Sequence, residues 1–126
     1  MLRIMSYPIS MLKNIIGGSM DFSLDEKKVG TWIDGRPVYQ KTFHSNLPAS
    51  VPVNSMITLQ DLSDLNIETI IHLDGIYYVN SNNRYSMNSY NGILMYNNTN
   101  LQWYTIHSNL GSKEYTCTIL YTKTTD

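Results

Sequence analysis

The sequence predicts an all-β protein, an antiparallel β-sandwich of jelly-roll-like form. Three observations predict it. Side chains alternate with a period of two in several short segments, most cleanly over residues 113–123. Turn signals rich in Gly, Asn and Asp recur about every ten residues, a spacing characteristic of sandwiches and barrels. No internal repeat or helical crossover pattern joins the segments, so antiparallel sheets with one solvated face are expected.

Residues 1–20 differ from the rest of the chain. Met1, Met5, Met11 and Met20 sit among Leu, Ile and Tyr. Met11, Leu12, Ile15 and Ile16 fit one apolar stripe of a short helix, which Gly17-Gly18-Ser19 then breaks. Residues 1–20 are therefore expected to be an N-terminal docking or oligomerisation segment, with a packed leading strand or a fragment left from a longer protein as the alternative. Pro8 interrupts the apolar residues, so neither a signal peptide nor a membrane anchor is expected. The β-sandwich domain is expected over residues 21–126.

The stretch Val29-Gly-Thr-Trp-Ile-Asp-Gly-Arg-Pro-Val-Tyr39 reads as strand, tight turn and strand. Asp34-Gly35 is the turn signal, because glycine tolerates the positive φ such turns demand. In the second strand Tyr39, Lys41 and Phe43 share a face, opposite Val38, Gln40, Thr42 and His44. The aromatic face is expected to be the buried one. Pro48 and Pro52 make the next connection extended. Residues 56–59 read as a short strand and residues 62–65 as a turn.

Residues 67–75 read as a strand that ends in a second Asp-Gly turn at Asp74-Gly75. Ile67, Thr69, Ile71 and Leu73 are expected on one face, with residues 76–79 as the partner strand. Residues 80–91 form a polar tract, too polar for core and too aromatic for a spacer. Residues 93–96 read as an apolar strand, 97–100 as a turn and 101–108 as an alternating strand. In residues 113–123, Tyr115, Cys117, Ile119 and Tyr121 share one face. Thr116, Thr118 and Thr122 share the other, broken by Leu120. A long strand of this kind near a terminus is expected to be central, held on both edges.

The 126 residues suffice for one domain with a real core. The formal net charge of −1 lacks the basic footprint of nucleic-acid binding. Charged residues make up 15% of the chain, against about 25% in ordinary domains. Tyrosine is abundant, at 10 residues, among many Asn, Ser and Thr. No apolar run reaches the roughly 20 residues needed to span a bilayer, and no membrane insertion is expected. Cys117 is the one cysteine, so no intrachain disulfide can form. It reads as a small buried hydrophobe on a strand.

No catalytic constellation emerges. His44, His72 and His107 fall in different strands. His72 and Asp74 would share a strand face, but two ligands do not make a metal site. Asp34, Asp61, Asp64 and Asp74 sit in predicted turns, where aspartates bond their own backbone. A carboxylate pair for glycoside hydrolysis is therefore not expected, nor is any cofactor. The Tyr and Asn tracts instead suit recognition. Aromatic faces stack on sugar rings, and amides bond hydroxyls in forked pairs. Tyr77 and Tyr78, alternating on a strand, fit core as well as a sugar-binding surface. Arg84, Tyr85, Asn88 and Tyr90, in the polar tract, are the candidate ligand-binding residues. Trp32, Tyr39 and Tyr121 are expected to make core or subunit contacts.

Two stretches carry a resemblance. Val29-Gly-Thr-Trp-Ile-Asp-Gly-Arg-Pro-Val-Tyr-Gln-Lys-Thr42 is similar to a motif near the start of a terminal domain in phage tail-fibre, head-fibre and host-attachment proteins. Leu120-Tyr-Thr-Lys-Thr-Thr-Asp126 resembles the way such proteins end. The likeness covers residues 25–126 at its ends and more loosely between, with Glu68-Thr-Ile-Ile71 and Trp103 as intermediate points. It marks a scaffold and implies a non-enzymatic β-domain on the virion surface, commonly a homotrimer, that helps attach the particle to bacterial surface polysaccharide. Other virion proteins are implied partners. A head or tail decoration with a purely structural role is the alternative, in which the apolar N-terminus would be the working element.

Overall fold

The computed structural model describes residues 22–89, 92–106 and 110–126. The expected segment 1–20 and the candidate residue Tyr90 lie outside these. Eight strands appear among the described residues: β1 (Lys27–Thr31), β2 (Pro37–Asn46), β3 (Ser55–Asp61), β4 (Ile67–Asn80), β5 (Asn83–Ser86), β6 (Gly92–Asn97), β7 (Asn100–Thr105) and β8 (Glu114–Lys123). They form a five-stranded sheet in the order β1-β2-β8-β4-β5 and a three-stranded sheet in the order β3-β7-β6. Every pairing is antiparallel. The all-β sandwich read from the alternation is the observed fold.

β8 is central, between β2 and β4. Its alternation sorts the two faces as expected. Tyr115, Cys117, Ile119 and Tyr121 are fully buried in the core between the sheets, together with Leu73, Tyr77, Met87, Leu94 and Trp103. Each large apolar side chain so buried contributes roughly 1.5–3 kcal/mol relative to exposure. The Trp103 ring packs 4.9 Å from that of Tyr77, and its Nε1 donates to Met87 O at 2.8 Å. Cys117 is a buried small hydrophobe, and burial pushes its thiol pKa up.

The first hairpin turns where Asp34-Gly35 predicts. Gly35 has φ of 89°, Gly35 N–H donates to Trp32 O and Trp32 N–H donates to Arg36 O. The 3-10 turn at Ser63–Leu65 matches the expected turn after β3. The turn between β6 and β7 carries positive φ at both Asn98 and Thr99, which fits the twist of the flanking strands.

Three expectations need correction. Asp74-Gly75 is not a turn, because β4 runs straight through it to Asn80. Gly75 is instead a point of close approach. A Cβ there would meet Cys117 Sγ at 2.8 Å, Thr116 O at 2.9 Å and Met87 Sδ at 3.0 Å. Secondly, Ile67, Thr69, Ile71 and Leu73 do not share one face. The register of β4 against β8 shifts between Ile67 and Thr69 and again between Ile70 and His72. An extra residue in a strand turns the following side chains over. Ile70 and Leu73 therefore belong to the main core, and Ile71 to a second cluster with Val38 and Leu120, covered by Val29 and Trp32. Thirdly, the aromatic face of β2 is not its more buried side. Tyr39 and Phe43 pack against the main core but are half-buried, whereas Val38, Gln40 and Thr42 are buried on the outer face. Val38 is held there by that second cluster.

Candidate functional site

The hairpin of β4 and β5 overhangs the sheet. The last β4–β8 pair is Tyr77 with Tyr115. β4 then continues through Tyr78, Val79 and Asn80, paired with β5 alone. At the same end, β2 finishes at Asn46, opposite Glu114, the first residue of β8. The parting of β4 from β8 leaves a groove of about 460 Å³. Asn46, Tyr78, Asn80, Arg84, Lys113 and Glu114 line it, with Val79, Ser81 and Ser112.

Cross-strand contacts fix one wall. The Arg84 guanidinium lies over the Tyr78 ring, 4.9 Å from its centroid. His44 meets the same ring edge-on at 6.4 Å, and its Nδ1 is 2.7 Å from Thr116 Oγ1. A guanidinium held over an aromatic face by cation–π attraction can still use its N–H groups for bonding. Asn46 Nδ2 donates to Ser112 O at 2.9 Å, which closes the loop before β8 and leaves its Oδ1 as an acceptor. Asn80 Oδ1 accepts from Asn82 N at 2.9 Å, which leaves its Nδ2 as a donor. The groove thus presents donors and acceptors side by side next to an aromatic ring.

The three candidate residues that are described, Arg84, Tyr85 and Asn88, do not converge. Arg84 lines the groove. Tyr85, its neighbour on β5, points to the opposite face, because successive strand side chains alternate. There it packs on Tyr77 with ring centroids 5.8 Å apart, and is 44% exposed. Asn88 uses both ends of its amide within the fold: Nδ2 donates to Leu73 O at 2.7 Å and Oδ1 accepts from Leu94 N at 2.8 Å. Sequence reasoning misses Asn46, Asn80, Lys113 and Glu114. Their one local signal is position, since each ends, begins or directly precedes a strand next to a turn.

Elsewhere several polar side chains bond within the fold. His72 and Asp74 share the outer face of β4, with Nε2 3.9 Å from Oδ2. Burial pushes the His72 pKa down, partly opposed by the Asp74 charge. Among the described residues, no group of three His, Cys, Asp or Glu side chains could hold a metal ion. Asp34 Oδ1 accepts from Arg36 N at 2.9 Å, and Asp61 Oδ1 from Ser63 N at 2.9 Å. Asp74 Oδ1 accepts from Gly75 N at 2.8 Å within the strand. The bond from Ser63 holds the Asp61 carboxyl below its usual range.

One cross-strand row on the outer face of the three-stranded sheet is apolar, beside a polar row that holds Thr58 and Gln102. Met56, Tyr104 and Ile93 stand in direct register across β3, β7 and β6. Met56 and Ile93 are each 43% exposed, and Ile106 lies exposed just beyond β7.

Comparison of the chain with protein-family models, with curated proteins and with solved structures finds no match.

Proposed function

We propose that this chain is a non-enzymatic recognition domain of a phage particle, a fibre or receptor-binding tip that attaches to bacterial surface glycan. The observation that carries the binding half is the groove at the β4–β5 overhang. It joins an aromatic ring, two amides, a carboxylate and two cations around an open volume. Saccharides need that mixture, because each hydroxyl both donates and accepts while the ring presents an apolar face. The groove is formed at a sheet end by strand divergence, where loops carried on a rigid scaffold commonly bind. The virion half rests on the resemblance of residues 29–42 and 120–126 to phage attachment proteins.

The test is glycan-array binding and host-cell adsorption by the wild-type chain and by Tyr78→Ala/Arg84→Ala. Glycan binding lost in the variant supports the reading, provided its urea midpoint shows that it is folded. Unchanged binding removes the groove from the function, and release of reducing sugar from a bound glycan overturns the non-enzymatic assignment.

A second reading, a structural decoration of the virion head or tail, is favoured by the apolar row of Met56, Tyr104 and Ile93. Such a row suits contact with further copies of the chain, as in a homotrimer, or with other virion proteins. Light scattering on the wild type and on Met56→Lys/Ile93→Lys tests it. A trimer that falls to monomer in the variant assigns the face to self-association.

A further inference from the structure

We infer that the glycan taken by the β4–β5 groove is acidic, with one anionic group held between Arg84 and Lys113; this rests on the glycan-binding reading. Three charged side chains line the groove: Arg84, Lys113 and Glu114. Two are cations and one is a carboxylate, so the groove is electropositive by one charge in a chain whose overall charge is −1.

Among the described residues, two other basic side chains are matched by ion pairs within the fold, whereas Lys27, Lys28 and Lys41 form none. Arg36 pairs with Glu68 and Asp34, and Lys123 with Glu26. Among the described residues, neither Arg84 nor Lys113 forms an ion pair. The contact that orients Arg84 is the Tyr78 face. That cation–π contact restrains the guanidinium before any ligand arrives, which lowers the ordering cost of a contact to an oxyanion. A carboxylate or a phosphate matches the guanidinium fork. Lys113 is half-buried at the mouth of β8, and its backbone N–H is bonded to Leu110 O at 3.1 Å. Its ammonium is a second point charge on a fixed main chain.

The remaining groups suit the rest of a sugar. Glu114 and Asn46 Oδ1 accept from hydroxyls, and Asn80 Nδ2 donates to one. Glu114 also repels a second anionic group nearby. A saccharide with one acid per binding unit fits this set better than a neutral sugar or a densely sulfated one. A neutral sugar leaves two cations facing an uncharged ring. A dense polyanion meets the Glu114 carboxylate.

The experiment is titration calorimetry with the full chain at low and at physiological salt. The probes are a hexuronic-acid oligosaccharide, its carboxyl-reduced neutral counterpart and a polyol-phosphate polymer. Arg84→Gln, Lys113→Gln and the distant control Lys41→Gln are compared with wild type. The expected result is at least about ten-fold tighter binding of an acidic probe than of the reduced one, with about ten-fold lost in Arg84→Gln and little change in Lys41→Gln. Preference for the uronate assigns the anionic group to a carboxylate, and preference for the phosphate polymer assigns it to a phosphate. Equal affinity for the uronate and its reduced form, with no binding of the phosphate polymer, overturns this inference and leaves glycan recognition standing. An equal loss in Lys41→Gln and Arg84→Gln overturns it too, as diffuse attraction. Binding of none of the probes at this groove, and of no array glycan, overturns both readings.

Discussion

Asn88 Oδ1 accepts the Leu94 backbone N–H at 2.8 Å, and through that bond the two sheets are joined by one side chain. The other end of the amide donates to Leu73 O at 2.7 Å. Leu73 belongs to β4 in the larger sheet, and Leu94 to β6 in the smaller one. Truncation leaves a buried carbonyl and a buried amide without partners. Asn88→Ala should therefore lower stability by about 2–6 kcal/mol, with each of the two orphaned groups costing roughly 1–3 kcal/mol. Urea unfolding checks this. Groove affinity measured on the folded fraction should be unchanged, which separates a clamp from a ligand contact.

Gly75 makes a second prediction, opposite in sign to the usual one. Gly-to-Ala inside a strand ordinarily gains roughly 0.5–1 kcal/mol from chain entropy. Here the new methyl meets Thr116 O at 2.9 Å and Cys117 Sγ at 2.8 Å. The Thr116 carbonyl belongs to the neighbouring strand β8 and cannot move aside cheaply. Gly75→Ala is expected to destabilise by about 1–3 kcal/mol through overpacking. A urea midpoint equal to or above wild type would refute the close-approach account.

The two Asp-Gly dipeptides show how far local sequence reaches. Asp34-Gly35 and Asp74-Gly75 carry the same turn signal. Gly35 adopts the positive φ, and a Cβ there would meet nothing within 4 Å. Gly75 is fixed by Cys117, Thr116 and Met87, which come from far along the chain. The alternation of β8 was legible because each residue reports its own face. The bulges in β4 were not, because a register shift is decided by the partner strand. Arg84 and Tyr85 could be picked out as aromatic and cationic residues in a polar tract. That they face opposite ways follows once β5 is known to be a strand. Asn46, Lys113 and Glu114 join Arg84 only because β8 lies between β2 and β4, a fact of topology and not of composition.

His72 gives stability a pH dependence. Its side chain is buried on β4, and burial lowers its pKa below the ordinary 6.5, against the raising effect of Asp74. The unfolded chain then binds more protons than the folded one in the window between the folded-state value and 6.5. Stability is full above that upper limit and is lost as pH falls from there through the folded-state value. Urea midpoints should drop as the pH falls below the ordinary 6.5 in the wild type. In His72→Gln that part of the slope should vanish, although the midpoint at neutral pH falls. An identical slope in both proteins would assign the pH dependence to other groups.

Glu26 ties the approach to β1 onto the C-terminal end of β8. Tyr121 Oη donates to Glu26 Oε2, and Lys123 Nζ lies 2.8 Å from Glu26 Oε1. Tyr121 is fully buried, and burial, reinforced by the nearby Glu26 carboxylate, pushes its phenol pKa up, so it remains a donor. Tyr39 stacks on Tyr121 with centroids 6.0 Å apart, and Lys123 lies over the Tyr39 ring at 5.2 Å. The carboxylate therefore satisfies two β8 side chains at once. Glu26→Ala should cost about 2–3 kcal/mol, because it leaves a buried hydroxyl without its acceptor and strips the ammonium of its partner. Tyr121→Phe removes one bond but leaves the Glu26–Lys123 pair intact, and should cost only about 1 kcal/mol. In the double variant the buried hydroxyl is gone, so the two losses should fall short of adding, by about 0.5–3 kcal/mol. Urea unfolding of the four proteins measures that coupling. Strict additivity would mean that Glu26 holds the β1 approach through Lys123 alone.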